Sequence, residues 1–284
     1  MHANGEVNLA AVDRYANFLI QRGVKGVFVN GTTGESLLLD SEERKALAEK
    51  WMDYSDRLNV LIHVGSTSYK VAQDLAEHAE KIGAKAISAM GPCFLQPSRP
   101  EELVSFNRLI AEKAPMTPYY YYHIPCISGV TVDMRQFIVL ADKEIPNFCG
   151  IKFTSYDTWE MLDCLRFRDG SLDILHGHDE TLLTGYQLGC TGGIGTSYNV
   201  TSRLFNKMID AFHAGKMAEA LDMQHEANKV VSLMCKRVNS VVGAKAMLEI
   251  MGVPVGPCRL PVRNLTSAEM KELESELEAF RDIL

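Results

Sequence analysis

The feature that most constrains the fold is an alternation of short apolar runs with longer amphipathic segments. The short runs are rich in β-branched and aromatic residues, and the segments between them carry apolar residues at helical spacing. This rhythm is typical of βα units that build a parallel sheet. We predict seven strands, over residues 26–30, 60–64, 86–90, 119–122, 148–152, 172–176 and 192–195.

The segments between these runs predict helices, and the strand signal stops after about residue 215. No Gly-x-Gly-x-x-Gly motif follows the first strand, which favours a (β/α)₈ TIM barrel over a dinucleotide-binding doubly wound sheet. Three further helical patterns follow, and Thr266 and Glu269 form a capping box before the last of them. We therefore expect a barrel over residues 1–215 and a C-terminal helical appendix packed on it over 216–284.

One element of this architecture is not found in the sequence. A (β/α)₈ barrel starts with a strand, whereas this sequence passes from Asn4-Gly5 directly into a helical pattern over residues 9–21. We expect the first barrel strand to be missing from this chain. Either Met1 is an internal methionine of a longer natural chain, or the architecture differs from the prediction by one unit.

Charge and cysteine content restrict the partners and the compartment. The 36 acidic and 29 basic residues give a net charge of -7, which repels nucleic-acid backbones and anionic lipid. The seven cysteines contain no Cys-x-x-Cys pair, and their odd number fits free thiols in a reducing cytosol. No targeting signal is visible in the sequence and no stretch is apolar for long enough to span a membrane, so we expect neither. We expect a cytoplasmic enzyme or binding protein with small-molecule ligands, and neither nucleic acid nor a membrane as a partner.

The strongest candidate for chemistry is Lys152. It ends an apolar strand pattern, and strand parity places it on the face opposite Ile151 and Phe153, inside the barrel. Burial there disfavours a charged ammonium and supplies the neutral amine that attacks a carbonyl to form a Schiff base. The alternative is a lysine that extends from the strand end into solvent.

Other polar residues also follow predicted strands. Thr32 and Thr33, between two glycines, provide hydroxyls and exposed amides for a carboxylate, although they fit equally well a turn in which they cap the backbone. Tyr122 ends a run of four tyrosines, and its phenol is suited to proton transfer. Asp179 and Glu180 are suited to accept hydrogen bonds from hydroxyls, or one of them caps the next helix.

Several other chemistries lack a motif in this chain. The histidines do not have metal-ligand spacing and no His-Glu-x-x-His motif is present, so we expect no metal. The sequence also lacks a P-loop and a Gly-x-Ser-x-Gly motif. Nucleotide-binding and serine-hydrolase functions therefore have no support.

Four motifs in order give the chain its resemblance to a known family. They are Gly31-Thr32-Thr33-Gly34-Glu35, Tyr122-His123-Ile124-Pro125, Gly150-Ile151-Lys152 and Gly192-Gly193-Ile194-Gly195. With this order and spacing, essentially the whole chain resembles the class I aldolase family that contains dihydrodipicolinate synthase and N-acetylneuraminate lyase. The resemblance implies a TIM barrel and a homotetramer.

Within that family the chain most resembles the animal lyase branch, which implies reversible cleavage of N-acetylneuraminate, a sialic acid, to N-acetylmannosamine and pyruvate. Where the synthase branch has an arginine for a second carboxylate, this chain has Ile127. By resemblance, Lys152 forms a Schiff base without any cofactor and Tyr122 carries the proton. Thr32 and Thr33 would bind the pyruvyl carboxylate. The site for the sugar chain would be lined by Thr154, Gly177, Asp179, Glu180 and Thr196.

The sequence is also compatible with two alternatives to the lyase function. One is a sister aldolase that acts on a different 2-oxo acid. The other is an inactive, truncated barrel that serves as a binding protein, because the first strand is missing.

Overall fold

A computed structural model describes residues 1–284 and contains one parallel sheet of six strands in sequence order. Each strand lies within one residue of a predicted run at either end, so six of the seven strand predictions are confirmed. The strands are β1 Gly26–Val29, β2 Asn59–His63, β3 Ala86–Met90, β4 Tyr119–His123, β5 Phe148–Phe153 and β6 Asp173–His176.

The predicted strand over residues 192–195 is wrong. Only a single bridge forms there, between Gly193 and His176. The His176 N–H donates to the Gly192 carbonyl, and the Ile194 N–H donates to the His176 carbonyl. Three of the four residues are glycines, which are unfavourable in strands and have no side chains to pack. The sheet therefore ends at β6 on one side and at β1 on the other, and neither edge closes onto the other.

The helices alternate with the strands, as the periodicity predicts, and then continue alone at the C-terminus. Several begin at a side-chain cap, such as Asp40 with Glu43 before the second helix and Thr266 with Glu269 before the last. The helices are α1 Ala10–Gln21, α2 Ser41–Met52, α3 Tyr69–Lys81, α4 Pro100–Ala111, α5 Pro125–Ser128, α6 Met134–Glu144, α7 Thr158–Arg166, α8 Leu182–Leu188, α9 Tyr198–His213, α10 Met217–Cys235, α11 Ser240–Ile250 and α12 Ser267–Leu277.

The main core lies between the sheet and the helices that follow its strands. It is a cluster of 40 buried apolar residues, which includes Tyr119, Tyr121, Ile151 and Phe153 from the helix-facing side of β4 and β5. By alternation, Lys152 and its in-register neighbour Tyr122 lie on the opposite face. This arrangement leaves Lys152 and Tyr122 on the face of the sheet that points away from the main core.

The last four helices have a core of their own. Eleven buried apolar residues from α9 to α12 and the adjoining loop, Val230 and Met247 among them, form this cluster. The three helices predicted beyond residue 215 are confirmed. None of the helices combines the length and the hydrophobicity needed to cross a bilayer.

Candidate active site

One large cavity of about 750 Å³ is lined by the carboxyl ends of β4, β5 and β6, by the whole of β1 and by residues of α1, α9 and α11. Side chains that follow the strands of a parallel sheet meet at the same edge, which is where α/β barrels carry their sites. All nine site residues predicted from the sequence line this cavity, namely Thr32, Thr33, Tyr122, Lys152, Thr154, Gly177, Asp179, Glu180 and Thr196.

Lys152 lies deep in the cavity wall and is only 6% exposed. Its Nζ lies 3.9 Å from the centroid of the Tyr122 ring and 4.9 Å from that of Phe28. No carboxylate pairs with it and no protein acceptor hydrogen-bonds to its Nζ, so aromatic faces are its nearest support. A buried amine without a partner has free hydrogen-bonding capacity for a ligand.

Tyr122 joins Lys152 to the loop that follows β1. Its hydroxyl lies 3.1 Å from Oγ1 of Thr32, and its ring packs edge-on against Phe28 and His63. In the same loop, Oγ1 of Thr33 lies 2.7 Å from Oγ1 of Thr196. Four hydroxyl groups therefore form two contacting pairs that line the cavity, and all of them belong to residues that were predicted from the sequence.

His63 packs against the rings of Phe28 and Tyr122 and was not predicted as a site residue from the sequence. Its Nδ1 lies 3.0 Å from the Asn30 carbonyl oxygen, and its Nε2 lies 3.3 Å from the Met90 N–H. Burial holds the pKa of His63 well below its usual 6.5, so the ring is neutral. A neutral ring that donates to Asn30 from Nδ1 and accepts from Met90 at Nε2 satisfies both contacts.

Glu35 anchors the same loop to the C-terminal part of the chain. It adopts a left-handed backbone conformation with φ 60°, and its carboxylate accepts hydrogen bonds from Lys245 Nζ and from the Arg259 N–H, the latter at 2.7 Å. The Arg259 side chain in turn pairs with Glu43 of α2. The sequence analysis treated Glu35 only as the end of a motif, because its partners lie more than 200 residues away.

Thr154 and Gly177 form the wall beyond Lys152. Oγ1 of Thr154 is buried and has no hydrogen-bond partner in the protein. A Cβ at Gly177 would lie 1.9 Å from this oxygen, so a glycine is needed there to leave room for the hydroxyl. The pair therefore presents an unused hydrogen-bonding group next to the cavity.

Asp179 is buried, and its carboxylate accepts a hydrogen bond from the Ser197 N–H. Ser197 directly precedes α9, so Asp179 stabilises the start of that helix and not of α8, the helix that follows it in sequence. A Cβ at Gly195 would overlap the carboxylate, which explains a glycine at that position. Burial raises the pKa of Asp179 from its usual 3.8 to about 6, against the opposing effect of the Ser197 contact.

Two amides of α10 hold the main chain at Asp179 and Glu180, and no sequence motif marks them. Gln224 donates from Nε2 to the Asp179 carbonyl at 3.1 Å and accepts the Leu183 N–H at 2.9 Å. Asn228 donates to the Glu180 carbonyl at 3.0 Å. The C-terminal helices are therefore part of the scaffold of the cavity.

The raised pKa of Asp179 predicts a pH-dependent contribution to stability. A group whose pKa is raised on folding stabilises the folded state below its unfolded pKa, and this contribution is lost as the pH rises through the folded value. We expect the unfolding free energy of the wild type, relative to Asp179→Asn, to fall as the pH rises from about 4 to about 6. Thermal melts of both proteins across this range measure it.

Asp56→Asn, at an exposed position outside the cavity, is the matched control for that experiment. A stability difference between the wild type and Asp179→Asn that stays constant over the whole range would contradict the prediction.

Comparisons with known proteins find relatives that match nearly the whole chain in sequence and in fold. It is 36% identical to the N-acetylneuraminate lyases of Mus musculus and Homo sapiens, with 98% and 100% of the chain and 89% and 92% of those proteins covered. The solved N-acetylneuraminate lyase of Proteus mirabilis superposes with a TM-score of 0.96 at 36% identity, covering 100% of this chain and 96% of that one. The sialic acid aldolase of Aliivibrio salmonicida also gives 0.96, at 34% identity, covering 100% and 94%.

The family model described as the dihydrodipicolinate synthetase family matches residues 1–280. With the relatives above, and with a lysine, a tyrosine and threonines lining the cavity, this match leads to one conclusion: the chain belongs to the dihydrodipicolinate synthetase family.

Proposed function

We propose that this chain is a class I aldolase that cleaves N-acetylneuraminate reversibly to N-acetylmannosamine and pyruvate. The observation that carries the proposal is Lys152, buried without a counter-ion in the wall of the cavity and 3.9 Å from the Tyr122 ring centroid. The relatives named N-acetylneuraminate lyase, which match nearly the whole chain, support the choice of substrate.

In the proposed mechanism, Nζ of Lys152 attacks the 2-oxo carbon of the open-chain substrate, and water leaves to give a protonated imine. A base removes the proton from the C4 hydroxyl, the C3–C4 bond breaks, and its electron pair enters the imine as an enamine. N-acetylmannosamine leaves as the aldehyde. The enamine is then protonated at C3, and hydrolysis of the imine releases pyruvate and the free lysine.

Tyr122 is the proton carrier in this scheme. Its ring centroid lies 3.9 Å from Nζ of Lys152, and its hydroxyl can exchange a hydrogen bond with Oγ1 of Thr32 at 3.1 Å. Thr32 and Thr33 would hold the pyruvyl carboxylate, with Thr196 as the hydroxyl partner of Thr33 at 2.7 Å. The enzyme would use no metal and no cofactor, since the imine itself accepts the electron pair.

The sugar chain would lie against Thr154, Gly177, Asp179 and Glu180. Thr154 offers a hydroxyl with no partner, and carboxylates accept several hydroxyl donors at once while repelling a phosphorylated aldehyde. Ile127 lies at the cavity where a dicarboxylate substrate would need a cation. These features favour a neutral polyol chain.

The organisation around this site is also proposed. Residues 1–215 would form the barrel, and 216–284 would form helices packed on it. By family resemblance the enzyme would be a homotetramer, and the cysteine usage supports a cytoplasmic location. The net charge of -7 argues against nucleic acid and anionic membranes as partners.

We also infer that one more parallel strand completes the barrel. β1 has a strand neighbour only on the β2 side, and the segment around Gly193 bonds only to His176. The cavity extends along both, because residues 26–29 and 191–195 line it. A strand in this position would pair with both edges and shield the interior from water.

The first test is covalent trapping. Pyruvate plus borohydride is expected to add one pyruvyl group at Lys152, because borohydride reduces the imine to a stable amine. Lys152→Ala and Lys152→Arg should lose both trapping and lyase activity, since an arginine stays protonated and cannot attack a carbonyl. Peptide mass mapping locates the adduct.

Lys50→Arg is the matched control for this test, because Lys50 is paired with Asp13 outside the cavity. It should trap pyruvate at Lys152 as the wild type does. An adduct on another lysine, or none on a folded sample, would rule out the Schiff-base mechanism.

Tyr122→Phe tests the proton carrier. We expect pyruvate trapping to remain possible while cleavage slows by about 10²-fold or more, the usual scale for a lost general acid or base. Tyr120→Phe is the control, because its hydroxyl bonds to Asp173 away from the cavity, at 2.9 Å. Unchanged turnover in Tyr122→Phe would refute the assignment.

The inferred strand is tested by comparing the 284-residue chain with one that carries an apolar strand ahead of Met1. We expect the extended chain to be more soluble, to melt at higher temperature and to cleave faster, since each ladder hydrogen bond contributes about 1 kcal/mol. An extension of equal length with a central proline, which removes a ladder donor, is the control. Equal melting and equal rates without the extension would show that no further strand is required.

A further inference from the structure

Tyr156 stands at the rim of the cavity and has no part in the proposed mechanism. It follows β5 by three residues, and 63% of it is exposed. Its ring stacks on the His178 ring with centroids 4.0 Å apart and planes 5° apart. Its hydroxyl donates to Oε1 of Glu180. Tyr156 is therefore an exposed aromatic residue that contacts two residues lining the cavity, His178 and Glu180.

Glu180 is constrained from two directions. Asn228 holds its main-chain carbonyl at 3.0 Å, and Tyr156 fixes its side chain through Oε1. His178 Nδ1 lies 3.6 Å from the same oxygen. No protein donor bonds to Oε2, and the Glu180 side chain is 34% exposed. The carboxylate therefore keeps one free acceptor oxygen in a fixed orientation.

The protonation states of the neighbours favour this arrangement. The hydrogen bond to the Glu180 carboxylate raises the pKa of Tyr156 to about 12, so the phenol remains a donor at neutral pH. Burial lowers the pKa of His178, so that its ring is largely neutral and does not cancel the charge of Glu180. Tyr156 thus supplies a neutral donor and leaves the carboxylate charged.

We propose that Tyr156 is a positioning residue that fixes the Glu180 carboxylate for the distal hydroxyl groups of a long polyhydroxylated 2-oxo acid. The inference rests on the proposed function and adds a determinant of substrate preference to it. Without the phenol, Glu180 is free to rotate and must be ordered when substrate binds, which costs side-chain entropy. The reacting end of the substrate, at Lys152, lies outside the reach of this contact.

Tyr156→Phe tests the proposal, because it keeps the stacked ring and removes only the donor. We expect KM for N-acetylneuraminate to rise about fivefold or more, the scale of one lost hydrogen bond to a charged group, with kcat changed by less than about twofold. Pyruvate trapping by borohydride at Lys152 should be unchanged, because pyruvate has no distal chain. In a Glu180→Gln background, the same substitution should have little further effect on KM.

Tyr54→Phe is the matched control, since the Tyr54 hydroxyl donates to the Asp13 carboxylate at 2.6 Å and lies outside the cavity. It removes the same kind of bond and should leave KM unaltered. An unchanged KM in Tyr156→Phe, with an active wild type, would overturn this inference alone. A rise in KM that is matched by an equal loss of pyruvate trapping would also overturn it, because such a result indicates a structural role. A wild type that fails to trap pyruvate would overturn the proposed function and this inference together.

Discussion

The burial of Lys152 without a counter-ion is the constraint on which the site depends. Removing an amine from water is unfavourable unless other groups interact with it, and here the faces of Tyr122 and Phe28 are the nearest. Those rings pack edge-on against a neutral His63, which the ends of β1 and β3 hold through Asn30 and Met90. The sheet therefore positions the amine through a layer of rings, without a salt bridge that a substrate would have to break.

Long-range contacts from the C-terminal helices complete the site on two sides. Lys245 and Arg259 hold Glu35 behind the threonine loop, while Gln224 and Asn228 hold the main chain at Asp179 and Glu180. All four residues lie in the part of the chain that the sequence analysis treated as an appendix. Because they bond to loops that line the cavity, these helices shape the substrate site as well as packing on the sheet.

Local signals in the sequence predicted most of the fold, and residue chemistry at strand ends, together with the family resemblance, selected residues that line the cavity. Six strands matched because β-branched and aromatic runs pack on a sheet almost wherever they occur, and the Thr266 cap lies within the segment that it starts. The strand predicted over residues 192–195 does not form. Its spacing from the other runs resembles that of a strand, but three of its four residues are glycines, which have no side chains to pack. Asp179 was found, but its partner Ser197 was not, since the 18-residue separation is set by tertiary packing. The partners of Glu35 lie more than 200 residues away along the sequence, and no sequence pattern indicates that they pair with it.

The two halves of the cavity differ in how they are held. At the half that contains Lys152 and Tyr122, the two residues belong to paired strands in register, so their spacing is fixed by the backbone ladder of β4 and β5. At the distal half, Glu180 depends on side chains from the loop after β5 and from α10. A substitution in those side chains can move Glu180 without disturbing the ladder. If the proposed function holds, chemistry and substrate preference can change independently in this scaffold, because a rigid sheet would carry the first and adjustable side-chain contacts the second.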